Sequence, residues 1–268
     1  MLPIYYINLA ARPDRREFME TQLAGLGLSG TRIEAATPAD LSAEELDLYC
    51  NPHRAHFLRR KELACTKSHE RVWQAMIDAG DARALVLEDD AELSPALPAF
   101  LAELDRHDVD IVRLEATGPT IRVFPPVAPA IAGIELRPFR STPMGSAGYV
   151  LKTSAARHLL GHPAFRNGQT DLVLYNPFQE PGASLSRLQT LPGLCQQLGG
   201  LRPDKLDIGR SDISENDEKH HFAHEKPVQF RLMRLREGLA KGWINAVDHF
   251  ASKKQGLTRM RIPFAENA

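Results

Sequence analysis

Three adjacent carboxylates, Glu88-Asp89-Asp90, follow directly on the apolar run Ala84-Leu85-Val86-Leu87. Like charges this close repel, and each costs several kcal/mol to desolvate unless a cation or a hydrogen-bond donor compensates it. Hard oxygen ligands at one point suit Mg²⁺ or Mn²⁺, which commonly bind one or two carboxylates together with substrate phosphates. If the backbone stays extended through residue 90, Glu88 and Asp90 share one side and Asp89 takes the other, so one pair can face a metal. A solvated lead-in to a helix starting at Ser94-Pro95 would use the same residues, and the acids alone do not separate the two.

The elements around the cluster decide where it sits. "LPIYYINL" has the Ile/Tyr content of a short buried strand and breaks at "AARPDRR" into a helical pattern carrying Phe18, Met19, Leu23 and Leu26. Ser42 with Glu45 predicts a capping box. Val72, Trp73, Met76 and Ile77 recur at helical spacing and Gly80 stops that helix. "ALVL" and "VDIVRL" are further apolar strands. Strand and helix alternate up to about residue 115, which predicts an α/β fold with a mostly parallel nucleotide-binding sheet flanked by helices. Ligands in such sheets bind beyond the carboxyl ends of the strands, where Glu88-Asp89-Asp90 falls. From about 116 to 225 the pattern is Pro/Gly-punctuated, mixed and loop-rich, a smaller second half; residues 226–268 form a basic amphipathic helical segment.

Composition narrows the function classes. Lys and Arg (33) nearly balance Asp and Glu (34), so no global field recruits nucleic acid. Three widely spaced cysteines, Cys50, Cys65 and Cys195, make no CxxC pair and predict neither a disulfide framework nor a zinc site. Without a signal-peptide pattern or an apolar run of about 18 residues, a cytoplasmic location is expected. No GxxxxGK[ST] loop is present, which argues against the P-loop nucleotidyltransferases and phosphohydrolases. "ACTKSH" places Cys65, Ser68 and His69 within two turns of helix, without the acid or strained elbow of a nucleophilic triad. Nine Lys/Arg against three Asp/Glu give residues 226–268 a local balance of 9 − 3 = +6. With the stripe Leu232, Leu235, Leu239, Trp243, Val247 and Phe250, that segment either packs on the protein's own core or lies on an anionic membrane through residues 226–261.

Five motifs in order, "YYINLAARPDRR", "KELACTKSHERVW", "LVLEDDAEL", "GSAGYVL" and "QTDLVLYN", resemble glycosyltransferase family 25, which includes lipooligosaccharide and collagen galactosyltransferases. The resemblance spans roughly residues 3–215. It implies a GT-A-like fold and metal-dependent, inverting transfer of a sugar, most often galactose, from a UDP-sugar to an oligosaccharide acceptor, lipid-linked in the lipooligosaccharide case. Carried onto this sequence, Asp90 would hold Mn²⁺ or Mg²⁺, with Glu88 beside the ribose or a metal-bound water and His224 as a late ligand. Asn8, Arg12, Arg15, Asp89, Ser68 and His69 would line the nucleotide-sugar site. Gly145, Ser146 and Gly148 would let the backbone approach a sugar, and Asp171 would take the acceptor's proton. A non-catalytic sugar-nucleotide-binding protein on the same fold is the alternative of a different class.

Overall fold

The apolar runs become the strands of one central sheet in the computed structural model, which describes residues 2–54, 56–104, 108–198 and 254–266 and isolated positions between 231 and 250. In chain order the elements are β1 (Ile4–Asn8), α1 (Pro13–Gly25), β2 (Thr31–Glu34), α2 (Ala43–Tyr49), α3 (Arg60–Ala79), β3 (Arg83–Glu88), β4 (Ala91–Leu93), α4 (Leu97–Glu103), β5 (Ile111–Arg113), β6 (Ile121–Val123), β7 (Glu135–Pro138), β8 (Gly148–Lys152), α5 (Thr153–Gly161), α6 (Thr170–Tyr175), β9 (Arg187–Leu191), β10 (Cys195–Gln197) and β11 (Thr258–Met260).

The sheet has seven strands in the order β2-β1-β3-β8-β5-β9-β7. β2, β1, β3, β5 and β9 run one way, and β8 and β7 run against them. The sheet is therefore mostly parallel, as the alternation of elements predicts. Its antiparallel members come from the chain after residue 116, where the composition turns Pro- and Gly-rich.

Alternation along each strand builds two cores. Ile4, Tyr6, Leu85 and Leu87 pack with α1 and α4 through Met19, Leu23, Leu97 and Phe100. Tyr5, Ile7, Ala84 and Val86 pack on the other face with Val72, Trp73 and Met76 of α3 and Ala155 and Leu159 of α5. Strands apolar on both faces are what a helix-covered sheet requires. The helix signals hold in detail at two places: Ser42 and Glu45 close their capping box on α2, and Gly80 ends α3 in the left-handed region at φ 73°.

Two expectations change. Helix α4 begins at Leu97, not at Pro95; Ser94 accepts from the Ala96 amide and donates to the Ala265 carbonyl at 2.6 Å, so it ties residue 265 to the turn after β4 instead of capping. The separate segment expected over 226–268 does not extend to its last residues. β11 pairs with β6, and Ile262 and Ala265 are buried in the two cores. Among the described residues no helix is long and apolar enough to cross a membrane.

Candidate functional site

β1, β3 and β5 point their carboxyl ends toward the same edge of the sheet, and the charged residues that follow them meet there. β3 ends at Glu88 and the chain turns over Asp89-Asp90 before β4, so the three acids are not extended and do not alternate as the sequence reading supposes. The turn sends each carboxylate to a different environment.

Asp89 points inward. It accepts from Asn8 Nδ2 at 2.7 Å and from the buried Arg15 at 3.0 Å. Burial still outweighs those partners, and its carboxyl lies above the usual aspartate range. Asn8 and Arg15, expected to bind nucleotide, are thus engaged in holding the acidic turn. Arg12 forms a bidentate pair with Asp14 at 3.0 and 2.7 Å.

Glu88 faces α3. Its Oε1 accepts from Ser146 Oγ at 2.6 Å and lies 3.4 Å from His69 Nε2. The Tyr149 hydroxyl receives the Trp73 indole N–H at 2.9 Å and meets His69 Nδ1 at 2.8 Å. Donation from the Tyr149 hydroxyl to Nδ1 assigns the His69 proton to Nε2, on the side of Glu88 and Ser146. Burial would raise Glu88, but His69 and Ser146 outweigh it and hold the carboxyl below its ordinary value. Cys65 Sγ joins this corner: the thiol, a ring nitrogen of His69 and a carboxylate oxygen of Glu88 lie within 4.8 Å of one another. Burial keeps the thiol protonated, well above its usual range. Ser68 turns away, accepting from the Ala36 amide and donating to the Ala64 carbonyl.

Asp90 is left with the least. Its Oδ1 is buried with no hydrogen-bond partner among the described residues, and its nearest cation, Arg15, is 3.6 Å away. Burial, with Glu88 as the next contributor, pushes its carboxyl up to about 7. An orphaned hard oxygen amid other carboxylates fits a divalent cation, which would return Asp90 to its charged form.

The loop entering β8 joins these acids to two more. Gly145, Ser146 and Ala147 each supply one donor to a different carboxylate: the Gly145 amide to Asp171 at 2.9 Å, Ser146 Oγ to Glu88, and the Ala147 amide to Glu115 at 3.1 Å. Asp171 is the second residue of α6, and its other oxygen accepts from the Leu172 amide at 2.7 Å. The two glycines do admit a close approach, but by the protein's own groups: a Cβ on Gly145 would overlap Glu115 Oε1, and one on Gly148 would overlap Cys195 Sγ. Gly145 also sits at φ 90°, where other residues are strained.

Glu115 and Arg113 are absent from the sequence reading. Arg113 is wholly buried and organises the acceptor side: it donates to the Glu115 and Met144 carbonyls at 2.6 and 2.9 Å, lies 3.1 Å from Glu115 Oε2, and stacks over Tyr175. Burial, only partly offset by Arg113, pushes Glu115 up to about 7. The signal that marks Glu88, a carboxylate just past an apolar strand, is equally present in "VDIVRLE" and would have found Glu115. His224 lies outside the described residues.

The profile of glycosyltransferase family 25 (LPS biosynthesis protein) matches residues 1–173. A lacto-N-neotetraose biosynthesis glycosyltransferase, LgtB of Neisseria gonorrhoeae, is 28% identical over 206 residues, 72% of this chain and 73% of its own. The lipooligosaccharide biosynthesis protein lic2B of Haemophilus influenzae is 24% identical over 83% of this chain and 85% of its own. The human inactive glycosyltransferase 25 family member 3 is 27% identical over 61% of this chain, which spans only 29% of that longer protein. With the profile covering well over half of the sequence, the chain belongs to glycosyltransferase family 25.

Proposed function

We propose that the chain transfers a sugar, galactose first among candidates, from a UDP-sugar to a lipooligosaccharide or other surface-glycan acceptor, with inversion and with Mn²⁺ or Mg²⁺. The observation that carries this reading is the buried, unpartnered Asp90 Oδ1 at the end of β3. A cation held by Asp90 with Glu88 nearby would act as a Lewis acid toward the charge developing on the departing diphosphate.

The chain's own residues do the rest. Arg15 and Asn8 fix Asp89 and so hold the turn that presents Asp90. Trp73, Tyr149, His69 and Ser146 hold Glu88 ionised and oriented. Inversion also requires a carboxylate to accept the acceptor hydroxyl's proton. Asp171 is the sequence's candidate, and Glu115 stands on the other side of Gly145.

The exposed stripe Leu232, Leu235, Leu239, Trp243, Val247 and Phe250, set in the basic stretch 226–261, supports peripheral contact with an anionic cytoplasmic membrane surface. Sedimentation with anionic but not zwitterionic vesicles tests this, and equal recovery in both would count against it.

The match to an inactive family member keeps a non-catalytic sugar-nucleotide-binding role as the second reading. Thermal-shift titration with UDP-sugars, with and without Mn²⁺, tests binding, since a ligand raises apparent stability by mass action. UDP release from UDP-galactose separates transferase from binder. A UDP-sugar shift of the same size with and without Mn²⁺ would remove the metal from the reading, and binding with no UDP release under any condition would favour the second.

A further inference from the structure

We infer that Glu115, not Asp171, takes the proton of the acceptor hydroxyl, and that the cleft above Glu115 seats the acceptor as an uncharged saccharide. The inference rests on the transferase reading and assigns the residue that reading leaves open.

The cleft has a volume of about 290 Å³ and is lined by Glu115, Thr117, Pro143, Met144, Gly145 and Gln197 among others. Glu115 is its one charged lining residue among those described, so a diphosphate would be repelled there while a neutral sugar would not. Thr117 and Gln197 supply polar groups and Pro143 and Met144 apolar surface, the mixture that suits a ring with hydroxyls and C–H faces.

The two oxygens of Glu115 are differently employed. Oε2 lies 3.1 Å from both Arg113 and the Ala147 amide. Oε1 accepts no hydrogen bond among the described residues and lies against Gly145, where the missing Cβ leaves the space it occupies. A carboxylate that lines a cleft, with one oxygen braced and the other accepting no hydrogen bond among the described residues, is placed to take a proton from a bound hydroxyl. Asp171 is placed otherwise. Both its oxygens accept backbone amides, from Gly145 and Leu172, and it does not line the cleft.

In the step, the acceptor oxygen forms a bond to the anomeric carbon as its proton passes to Glu115 Oε1. The bond from that carbon to the diphosphate oxygen breaks, and the nucleoside diphosphate leaves with the electron pair. Glu115 then returns the proton to water. A value of about 7 keeps a large fraction of Glu115 ionised at neutral pH while leaving it basic enough to accept the proton. The charged and titratable groups facing it are Arg113 on its own strand, Glu88 at the end of β3 and Asp90 in the turn after it, Asp171 and Tyr175 on α6, and Cys195 on β10.

The test uses the full chain with Mn²⁺, UDP-galactose and p-nitrophenyl glycosides of glucose and N-acetylglucosamine as acceptors. Glu115→Gln is expected to bind UDP as the wild type does, to lose about 10²- to 10⁴-fold in kcat, and to lack the acid limb expected near 7 in the wild-type pH profile. Glu115→Asp keeps the charge and is expected to recover part of the rate. Met144→Trp, at an exposed position on the cleft rim, is expected to raise acceptor KM several-fold at unchanged donor KM. A Glu115→Gln protein within tenfold of wild-type kcat, an acid limb that persists in it, or an acid limb abolished by Asp171→Asn instead, each overturns the assignment. If Glu115→Gln does not fold, a Glu115→Asp protein with unaltered kcat and pH profile overturns it equally. A wild type that releases no UDP with any acceptor sinks the transferase reading and this inference with it.

Discussion

Asp90, largely buried, and Glu115, fully buried, are carboxyls that desolvation raises to about 7, and they follow β3 and β5, two strands of the same direction with β8 between them. Their surroundings differ. Asp90 has acids on its own turn, a guanidinium no closer than 3.6 Å and an oxygen with no donor. Glu115 has Arg113 and a backbone amide on one oxygen and a cleft at the other. On the proposed reading the same raised value has two remedies: a cation would relieve Asp90 and a proton Glu115. Perturbed carboxyls mark functional sites, but what each is missing tells which chemistry it serves.

The comparison breaks most visibly at Asp90. Asp90→Ala is expected to lose transfer by about 10³-fold or more, as loss of a metal's charge stabilisation implies, and to lose Mn²⁺-dependent UDP binding; normal Mn²⁺ dependence in that variant would remove the cation from this side. Ser146→Ala withdraws the hydroxyl that holds Glu88, and about 10- to 100-fold weaker Mn²⁺ affinity is expected with acceptor KM unchanged; an effect confined to the acceptor would place Ser146 on the Glu115 side instead. Asp171→Asn keeps the shape of the residue that holds the Gly145 turn, so a loss of about tenfold in kcat, with the acid limb intact, separates positioning from proton acceptance.

The smallest effect is on stability. Glu115 binds its proton more tightly folded than unfolded, so its contribution is fully present below the unfolded value near 4.5 and is lost as pH rises through about 7. Melting of wild type and Glu115→Gln between pH 5 and pH 8 should show the variant gaining on the wild type as pH rises, by a few degrees. A gap that does not move with pH would mean that Glu115 is ionised in the fold throughout that range.

The acid turn and its strand were legible because both signals are local. An apolar run followed by charges marks a strand end, and the spacing of Val72, Trp73 and Met76 with Gly80 marks α3 and its stop. The partners of those acids were not legible. Ser146 is 58 residues from Glu88, and Tyr149 is 80 from His69. Asn8, Arg12 and Arg15 were read as ligand-facing because their motif sits at a strand end, yet Asn8 and Arg15 turn inward to the acids. The Gly145 and Gly148 spacing was read as access for a sugar, and Glu115 and Cys195 fill that access themselves.

By itself the sequence determined the element types, the capping box of α2 and the Gly80 stop of α3, the two-sided apolar strands and the carboxylates at the end of β3, since each depends on residues within a turn or a strand of one another. Only the tertiary structure decided that β8 enters antiparallel between β3 and β5. That placement sets Gly145, Ser146 and Ala147 among Asp171, Glu88 and Glu115, while Asn8 and Arg15 draw Asp89 inward and Asp90 Oδ1 is left without a donor among the described residues. Strand order and long-range hydrogen bonds are chosen by the burial of whole faces against one another, and no local pattern carries that information.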